Sequence, residues 1–362
     1  MTEYGISILP DTGPEDRSPQ EYYANLLDVA RLTDELGLEY VKMTEHYLHP
    51  YGGYCPDPLA FLSAVAAVTG RVRLMTGGIQ ASFHHPIQLA ASTAQLDAIS
   101  GGRLDVGFAR AFLPYEFDAF GVDMDTSTDR FRRTVDATVR LWTEPKVDED
   151  GPFFRYSGAT SVPPPTQRAH PPVWTAALIT RSSFQWIGES GYNLLVASAP
   201  TREKAGQVRE MIDFYRSCFL GAEKNRGRQP KVAISIALML AETDEEAREL
   251  GRRHLRRHWD TFAAAAGSWQ GRASASYQGY REAMVDKHRS GASEDAGLAV
   301  LGSPDTAVRQ LREIREVLTP DVILFQIDYG QQPRATMRRT LELFARQVRP
   351  RLDAEERQED AR

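Results

Sequence analysis

Eight short β-rich runs, separated by longer segments of helical period, leave this chain few folds to adopt. The runs begin near residues 4, 39, 72, 104, 173, 192, 232 and 322. Strands that alternate with helices are expected to lie parallel, because each crossover helix returns the chain to the same end of the sheet. Eight such strands predict a closed (β/α)8 barrel of the TIM type with insertions. An open doubly wound sheet would more often carry fewer strands and a glycine-rich turn after the first one, and Tyr4–Leu9 is followed by no such turn.

The units read in order. Tyr4–Leu9 leads to a helix from Ser18 to Leu36 that Gly37 stops, and Glu39–Thr44 leads to one over about Asp57–Val68. Val72–Gln80 precedes a helix over His85–Ile99, and Ser100-Gly101-Gly102-Arg103 turns the chain into Leu104–Ala109. A continuous helical stretch is expected from Tyr115 to Trp142. Val173–Leu178, Tyr192–Ala197, Val232–Ala241 and Val322–Ile327 complete the strands, with late helices over Asp305–Leu318 and Arg334–Val348. Two excursions interrupt the alternation, 143–172 around Pro163-Pro164-Pro165, and 266–298, rich in Gly, Ser and Ala about a helical piece, Tyr280–Arg289. Alternation resumes after each, so both read as insertions in one barrel domain over 1–352, with a charged tail, 353–362, expected to fray.

Composition narrows the function classes. With 362 residues the chain could hold two average domains, yet barrels with inserted loops reach this size. No apolar run approaches the roughly 20 residues that cross a bilayer. Met1–Pro10 lacks the basic-then-apolar pattern of a secretory signal, and Cys55 and Cys218 are too few for a disulfide framework, so a cytoplasmic location is expected. A net charge of −6 with scattered basic residues argues against nucleic acid, and Arg252, Arg253, Arg256 and Arg257 read as a solvated helix face.

Barrel chemistry lies at the carboxyl ends of the strands, which singles out a few residues. Glu45 and His46 follow the second strand and are the candidate catalytic residues, a carboxylate and an imidazole at the working face; the imidazole there either moves protons near neutral pH or is a buried, backbone-bonded histidine. His49 adds a His-x-x-His spacing, a weak metal signal without a third ligand, though His46, His49 and Glu45 define a rival reading as a metal-dependent barrel hydrolase. Gly77 and Gly78 mark either a bulge in the third strand or the close approach of a flat ligand. Arg110 follows the fourth strand and suits a phosphate or an ion pair with Glu116 or Asp118. Thr180, Ser182 and Ser183 open a helix after the fifth strand, as phosphate ligands or as caps. His85 reads as a helix-start residue, and Cys55 as an incidental loop thiol rather than a nucleophile.

At these positions the chain resembles the bacterial-luciferase-like flavin-dependent monooxygenases, from about Tyr4 to Leu352. The most specific stretch is Leu96-Asp97-Ala98-Ile99-Ser100-Gly101-Gly102-Arg103 running into Leu104–Arg110, and then Phe117–Met124. Glu45-His46, His85-Pro86 and Val300-Leu301-Gly302-Ser303-Pro304 fall where that family has similar segments. The resemblance implies that His46 is the active-site histidine, that Arg110 holds the phosphate of flavin mononucleotide (FMN), and that Thr180–Ser183 adds a second phosphate contact. It also implies a cis peptide at Gly77-Gly78 beneath the flavin ring. Ala109 stands where luciferase has a reactive cysteine and Leu113 where it has a tyrosine, departures that put light emission in doubt without touching oxygen activation. The 266–298 excursion falls where luciferase has its mobile active-site loop, so the resemblance implies a lid there that excludes water.

The segments Glu45–Tyr54 and Ala111–Phe117 are further similar to the luciferase-like enzymes of polyketide and nonribosomal-peptide assembly lines. The implied activity is a two-component oxygenation in which a separate flavin reductase supplies reduced FMN (FMNH2), O2 is the co-substrate, and a small or carrier-protein-bound acyl substrate is oxidised by a homodimeric enzyme. A hydride-transferring enzyme using the deazaflavin F420, with no oxygen chemistry, is the rival within the fold, and a non-catalytic flavin-binding subunit is another.

Overall fold

The computed structural model describes residues 1–178, 180–277 and 298–360. Eight strands form a closed parallel ring: β1 (Glu3–Ile8), β2 (Tyr40–Met43), β3 (Arg73–Thr76), β4 (Leu104–Ala109), β5 (Val173–Ala177), β6 (Asn193–Val196), β7 (Val232–Leu240) and β8 (Val322–Gln326). Each pairs with the next, and β8 returns to β1 through Glu3↔Val322 to Ser7↔Gln326, which closes the barrel. All eight start within one residue of the positions expected from the alternation.

Between and around the strands run α1 (Pro19–Glu35), α2 (Pro58–Val68), α3 (Pro86–Ile99), α4 (Pro114–Phe120), α5 (Ser127–Thr143), α6 (Arg181–Ser190), α7 (Ala205–Gly221), α8 (Asp244–Ala266), α9 (Pro304–Leu318), α10 (Arg334–Leu343) and α11 (Arg349–Asp360). The first three begin with proline behind a capping side chain, Ser18, Asp57 and His85, so amides left unpaired by helix geometry are satisfied locally. His85 is thus a cap, its Nδ1 accepting from Ile87 N at 3.3 Å.

Strand alternation sorts the core. Ile6, Ile8, Val41, Met43, Leu74 and Val106 pack outward in the large cluster shared with the helices, while Tyr40, Met75, Trp174, Leu195, Ala233 and Leu324 form a plug inside the ring. Burying a large apolar side chain is worth roughly 1.5–3 kcal/mol, so this plug rigidifies one end of the barrel. Arg103 clamps the turn of the Ser100–Arg103 motif to the end of α2: its guanidinium donates to Ser100 O (2.8 Å), Val72 O, Thr69 Oγ1 and Ala66 O (each 3.0 Å) and Thr69 O (3.2 Å).

Four boundaries differ from the sequence expectation. The stretch after Tyr115 is two helices, because Gly121 adopts a left-handed conformation (φ 63°) and ends α4. The expected strand Val72–Gln80 is interrupted after Thr76; the ladder resumes at Ile79↔Phe108 with one extra residue on the β3 side, the two-against-one arrangement of a bulge. Thr76 bridges the gap, its Oγ1 donating to Gly107 O at 2.9 Å and accepting from Gly107 N at 2.8 Å. The 143–172 excursion holds a hairpin, Val147–Asp150 with Arg155–Ala159, and is tied back by buried Asp97, which accepts from Thr166 N, Gln167 N and Gln167 Nε2 at 2.7–2.9 Å. The segment Ala299–Gly302, unassigned from sequence, pairs with the outer end of β7.

The tail is the clearest correction. Of the residues expected to fray, 353–360 fall in α11, and Glu356, 9% exposed, accepts from Thr2 N (2.9 Å) and Thr2 Oγ1 (2.7 Å) and pairs with Arg315. A buried carboxylate with such partners joins the first and last segments of the chain. The expected piece Tyr280–Arg289, and with it most of the expected lid, lies outside the described residues. Among the described residues no helix is long and apolar enough to cross a membrane. Glu356→Ala should lower unfolding free energy by about 1–3 kcal/mol, as expected when buried donors lose a charged acceptor, in a denaturant titration; unchanged stability would return the tail to a frayed segment.

Candidate active site

The carboxyl ends of the strands surround a cavity of about 240 Å³. It gathers Glu45, His46, Gly77, Gly78, Ala109, Arg110, Thr180 and Ser183, which the sequence singled out, together with Lys42, Gln80, Thr128, Arg132, Thr175 and His258, which it did not. Ser182 is the exception among the expected ligands. Helix geometry puts Thr180, Ser183 and Ile187 on the face toward the cavity, and Ser182, one residue out of that row, is exposed.

One end of the cavity is cationic. The Arg110 guanidinium donates to Thr128 Oγ1 and, at 3.3 Å, to Ser276 O, and lies 3.9 Å over the Tyr277 ring. Neither anticipated ion-pair partner reaches it: Asp118 pairs with Arg272, and Glu116 turns to His46. Among the described residues Arg110 has no carboxylate within ion-pair distance. Arg132, half-buried on α5, donates to Ser182 O at 3.2 Å and stacks 5.3 Å over Trp186. Burial, and then the positive charge of Arg110, pull its pKa down. Two guanidiniums that repel each other beside the hydroxyls of Thr128, Thr180 and Ser183 give this end of the cavity the chemistry that suits an anion.

The floor is set by backbone packing. The Gly77-Gly78 peptide is cis. A Cβ at Gly77 would overlap the Lys42 side chain (1.9 Å from Cε), and one at Gly78 would press on Phe108 C at 2.6 Å, so both glycines are required by the protein's own neighbours as well as bordering the cavity. Lys42 beneath them is buried and donates to Ser7 Oγ (2.9 Å) and Ser235 Oγ (3.2 Å); burial pushes its ammonium down to about 8.

His46 stands where β2 ends. Its Nδ1 lies 3.1 Å from Oε1 of Glu116, a fully buried carboxylate that also accepts from Tyr47 N (2.9 Å) and Gln80 Nε2 (3.3 Å). Gln80 Nε2, an amide donor, lies at the same 3.1 Å from Nδ1, so this nitrogen stands between a carboxylate acceptor and an amide donor, and among the described residues the imidazole Nε2 has no hydrogen-bond partner. Tyr51 and Phe112 hold the ring, at 5.1 and 5.6 Å between centroids.

Glu45 is differently committed from the catalytic carboxylate expected beside His46. It accepts from Tyr47 OH, from Gln80 N at 3.1 Å and from His84 Nε2 at 2.7 Å. Burial lowers the His84 pKa, but the Glu45 hydrogen bond and charge outweigh it and the net shift is upward. His49 accepts at Nδ1 from Tyr51 N at 3.1 Å, and among the described residues no group of three His, Cys, Asp or Glu side chains, the His46–His49–Glu45 set included, is placed to hold a metal ion. Cys55 is buried and donates to Thr44 O, and burial pushes the thiol up, which leaves it unreactive. Two polar atoms that border the cavity, Thr175 Oγ1 and Gln80 Oε1, are buried without a hydrogen-bond partner among the described residues, an arrangement that a polar ligand would satisfy.

Comparison with known proteins bears on this geometry. The chain is 35% identical to the crystal structure of monooxygenase RslO1 from Streptomyces bottropensis, with a TM-score of 0.82 over 97% of this chain and 100% of that one. It is 28% identical over 236 residues to the oxygenase component of the flavin-dependent trigonelline monooxygenase of Acinetobacter baylyi; the match covers 64% of this chain and less than two thirds, 63%, of that protein. The 4-hydroxyprotoasukamycin monooxygenase of Streptomyces nodosus subsp. asukaensis is 22% identical over 90% of this chain and 86% of its own length. Residues 2–319 match the model of the luciferase-like monooxygenases, and the chain belongs to that family.

Proposed function

We propose that this protein is the oxygenase of a two-component, FMN-dependent monooxygenase acting on an organic substrate. The observation that carries the reading is the pairing, in one cavity, of the Arg110–Arg132 anion site with the His46–Glu116 dyad. The residues present fit the cofactor: two guanidiniums, one of them, Arg110, with no carboxylate within ion-pair distance among the described residues, suit its phosphate, and Thr175 Oγ1 and Gln80 Oε1, unpartnered among the described residues, suit the polar edge of its ring. When bound, reduced flavin supplies the two electrons with which O2 is split between substrate and water.

The protein's own work is then positional. Arg110, Arg132, Thr128, Thr180 and Ser183 hold the phosphate, and the Gly77-Gly78 floor admits a flat ring because no side chain rises from it. His46, held by Glu116, accepts or returns a proton through Nε2, and Glu45 positions that assembly through His84, Tyr47 and Gln80. A flavin reductase as electron donor, a homodimeric assembly, a cytoplasmic setting and a tailoring step on a small or carrier-bound natural-product intermediate belong to the same proposal. The name of the trigonelline relative, an oxygenase component, supports the two-component arrangement.

Loss of a charge-assisted contact costs about 1.5–3 kcal/mol, so Arg110→Ala should weaken FMN binding by about 10- to 150-fold and leave riboflavin binding unchanged, as read by flavin fluorescence titration. Equal losses for both flavins would remove Arg110 from the phosphate. Competition of reduced FMN against reduced F420 in the same titration separates the oxygenase from a deazaflavin enzyme; preference for F420 would overturn the proposal. His46→Ala should change the rate at which O2 oxidises the protein-bound reduced flavin by about 10²-fold, with FMN affinity intact, in stopped-flow absorbance; an unchanged rate would take His46 out of the proton chemistry.

A further inference from the structure

A second histidine borders the same cavity. His258 lies on the inward face of α8, one turn from His254 and from Phe262, and is 2% exposed. Its ring is 6.0 Å from Tyr51, which also neighbours His46. Its Nδ1 is 3.0 Å from Oδ2 of Asp11, on the segment after β1. Asp11 is fixed independently, accepting from Gly330 N at 2.6 Å and Gln331 N at 3.2 Å. Tyr329 stacks on the imidazole at 3.7 Å with the planes 12° apart, so the ring cannot rotate away.

That geometry decides the tautomer. Asp11 as a carboxylate only accepts, so Nδ1 carries the proton and Nε2 presents a lone pair. Among the described residues Nε2 has no hydrogen-bond partner, and His258 lines the cavity. His254, by contrast, is spent on the fold, its Nδ1 bonding Gly330 O at 2.7 Å.

The surroundings indicate what the base would meet. Around His258 the cavity wall is made of Tyr51, Trp259, Phe262, Tyr329, Leu255 and Leu9. Rings at such spacing favour a planar aromatic guest by edge and face contacts. Asp11 is the charged group in contact with the imidazole; Asp328 lies behind it, its carboxyl pushed up to about 7 by burial and then by Asp11, and Arg257 faces Asp16 outside the cavity. An imidazolium formed at His258 would therefore be neutralised by Asp11.

We infer that His258, oriented by Asp11, is the base that ionises an aromatic substrate bearing a hydroxyl group, a phenol or its fused-ring counterpart. This deepens the monooxygenase reading and rests on it for the later oxygen step. The transfer moves one proton and no electrons: the phenolic O–H bond breaks, the Nε2–H bond forms, and the electron pair stays on oxygen. The phenolate enriches the ring carbons ortho and para to it. One atom of O2 is then bonded to such a carbon as hydroxyl while the O–O bond breaks; the other leaves as water with two electrons from reduced flavin, the hydrogen displaced from that carbon leaves as a proton taken up by the departing oxygen, and His258 returns its own proton to the phenolic oxygen of the product.

The test uses 4-nitrophenol, whose phenolate is coloured, and 4-nitroanisole, which has no proton to lose. Each is titrated into the full-length protein with and without oxidised FMN, and FMN affinity is measured in parallel. At about one pH unit below the probe's own pKa, the wild type should raise the phenolate fraction about fivefold over free probe, the effect of a downward shift of about one unit. His258→Gln should return that fraction to the free value while binding 4-nitroanisole and FMN as the wild type does. Asp11→Asn, which keeps an acceptor for Gly330 N, should lose most of the effect too. A wild type that leaves the probe unbound or un-ionised, or a His258→Gln protein that ionises it equally well, would overturn the inference. The flavin-free arm reports on His258 alone, so failure of FMN to bind would count against the monooxygenase reading and not against this one.

Discussion

Pairing of β8 with β1 is the contact on which the rest depends. Without Glu3↔Val322 through Ser7↔Gln326 the eight strands would be an open sheet, and the loops after β1 and β8 would have no reason to meet those after β2 and β4. Closure forces the strand ends into one mouth, and the aromatic and aliphatic plug of Tyr40, Met75, Trp174 and Leu324 fills the opposite part of the interior. Asp11 illustrates the consequence: one carboxylate, just past β1, holds the backbone after β8 and an imidazole from α8.

The mouth divides by electrostatics. Its cationic end, Arg110 and Arg132, is bounded by hydroxyls and backbone oxygens and suits a dianion; its other side carries two histidines, each with Nδ1 beside a buried carboxylate. Holding these carboxylates out of water costs desolvation, which the hydrogen bonds from Tyr47 N and Gln80 Nε2 to Glu116 and from Gly330 N and Gln331 N to Asp11 offset. Lys42, under the glycine floor, adds a cation held by hydroxyls.

Much of the fold was legible because parallel strands covered on both faces read as continuous β runs between helical periods. What stayed hidden has particular causes. Gly77-Gly78 gives the same letters for a bulge and for a ligand floor, and the structure contains the bulge with its face on the cavity. Glu116 looked like a partner for Arg110, since nothing local shows that α4 turns its carboxylate toward His46. Arg132 sits among Arg130 and Arg133 on an amphipathic helix and reads as solvated, and His258 is flanked by arginines that are indeed exposed, although a histidine at four-residue spacing from His254 and Phe262 marked the buried row. The charged tail concealed Glu356 because its partners, Thr2 and Arg315, are remote in sequence. Roles for His46 and Arg110 came from resemblance; spacing alone left a buried histidine and an ion pair as open alternatives.

A crystal structure of the protein with oxidised FMN addresses the central claim most directly. The phosphate should sit within hydrogen-bond distance, about 2.7–3.2 Å, of both Arg110 and Arg132, with the ring system over Gly77 and Gly78 and His46 and His258 on the remaining wall. A flavin bound elsewhere, or one in this cavity whose phosphate avoids both guanidiniums, would contradict it.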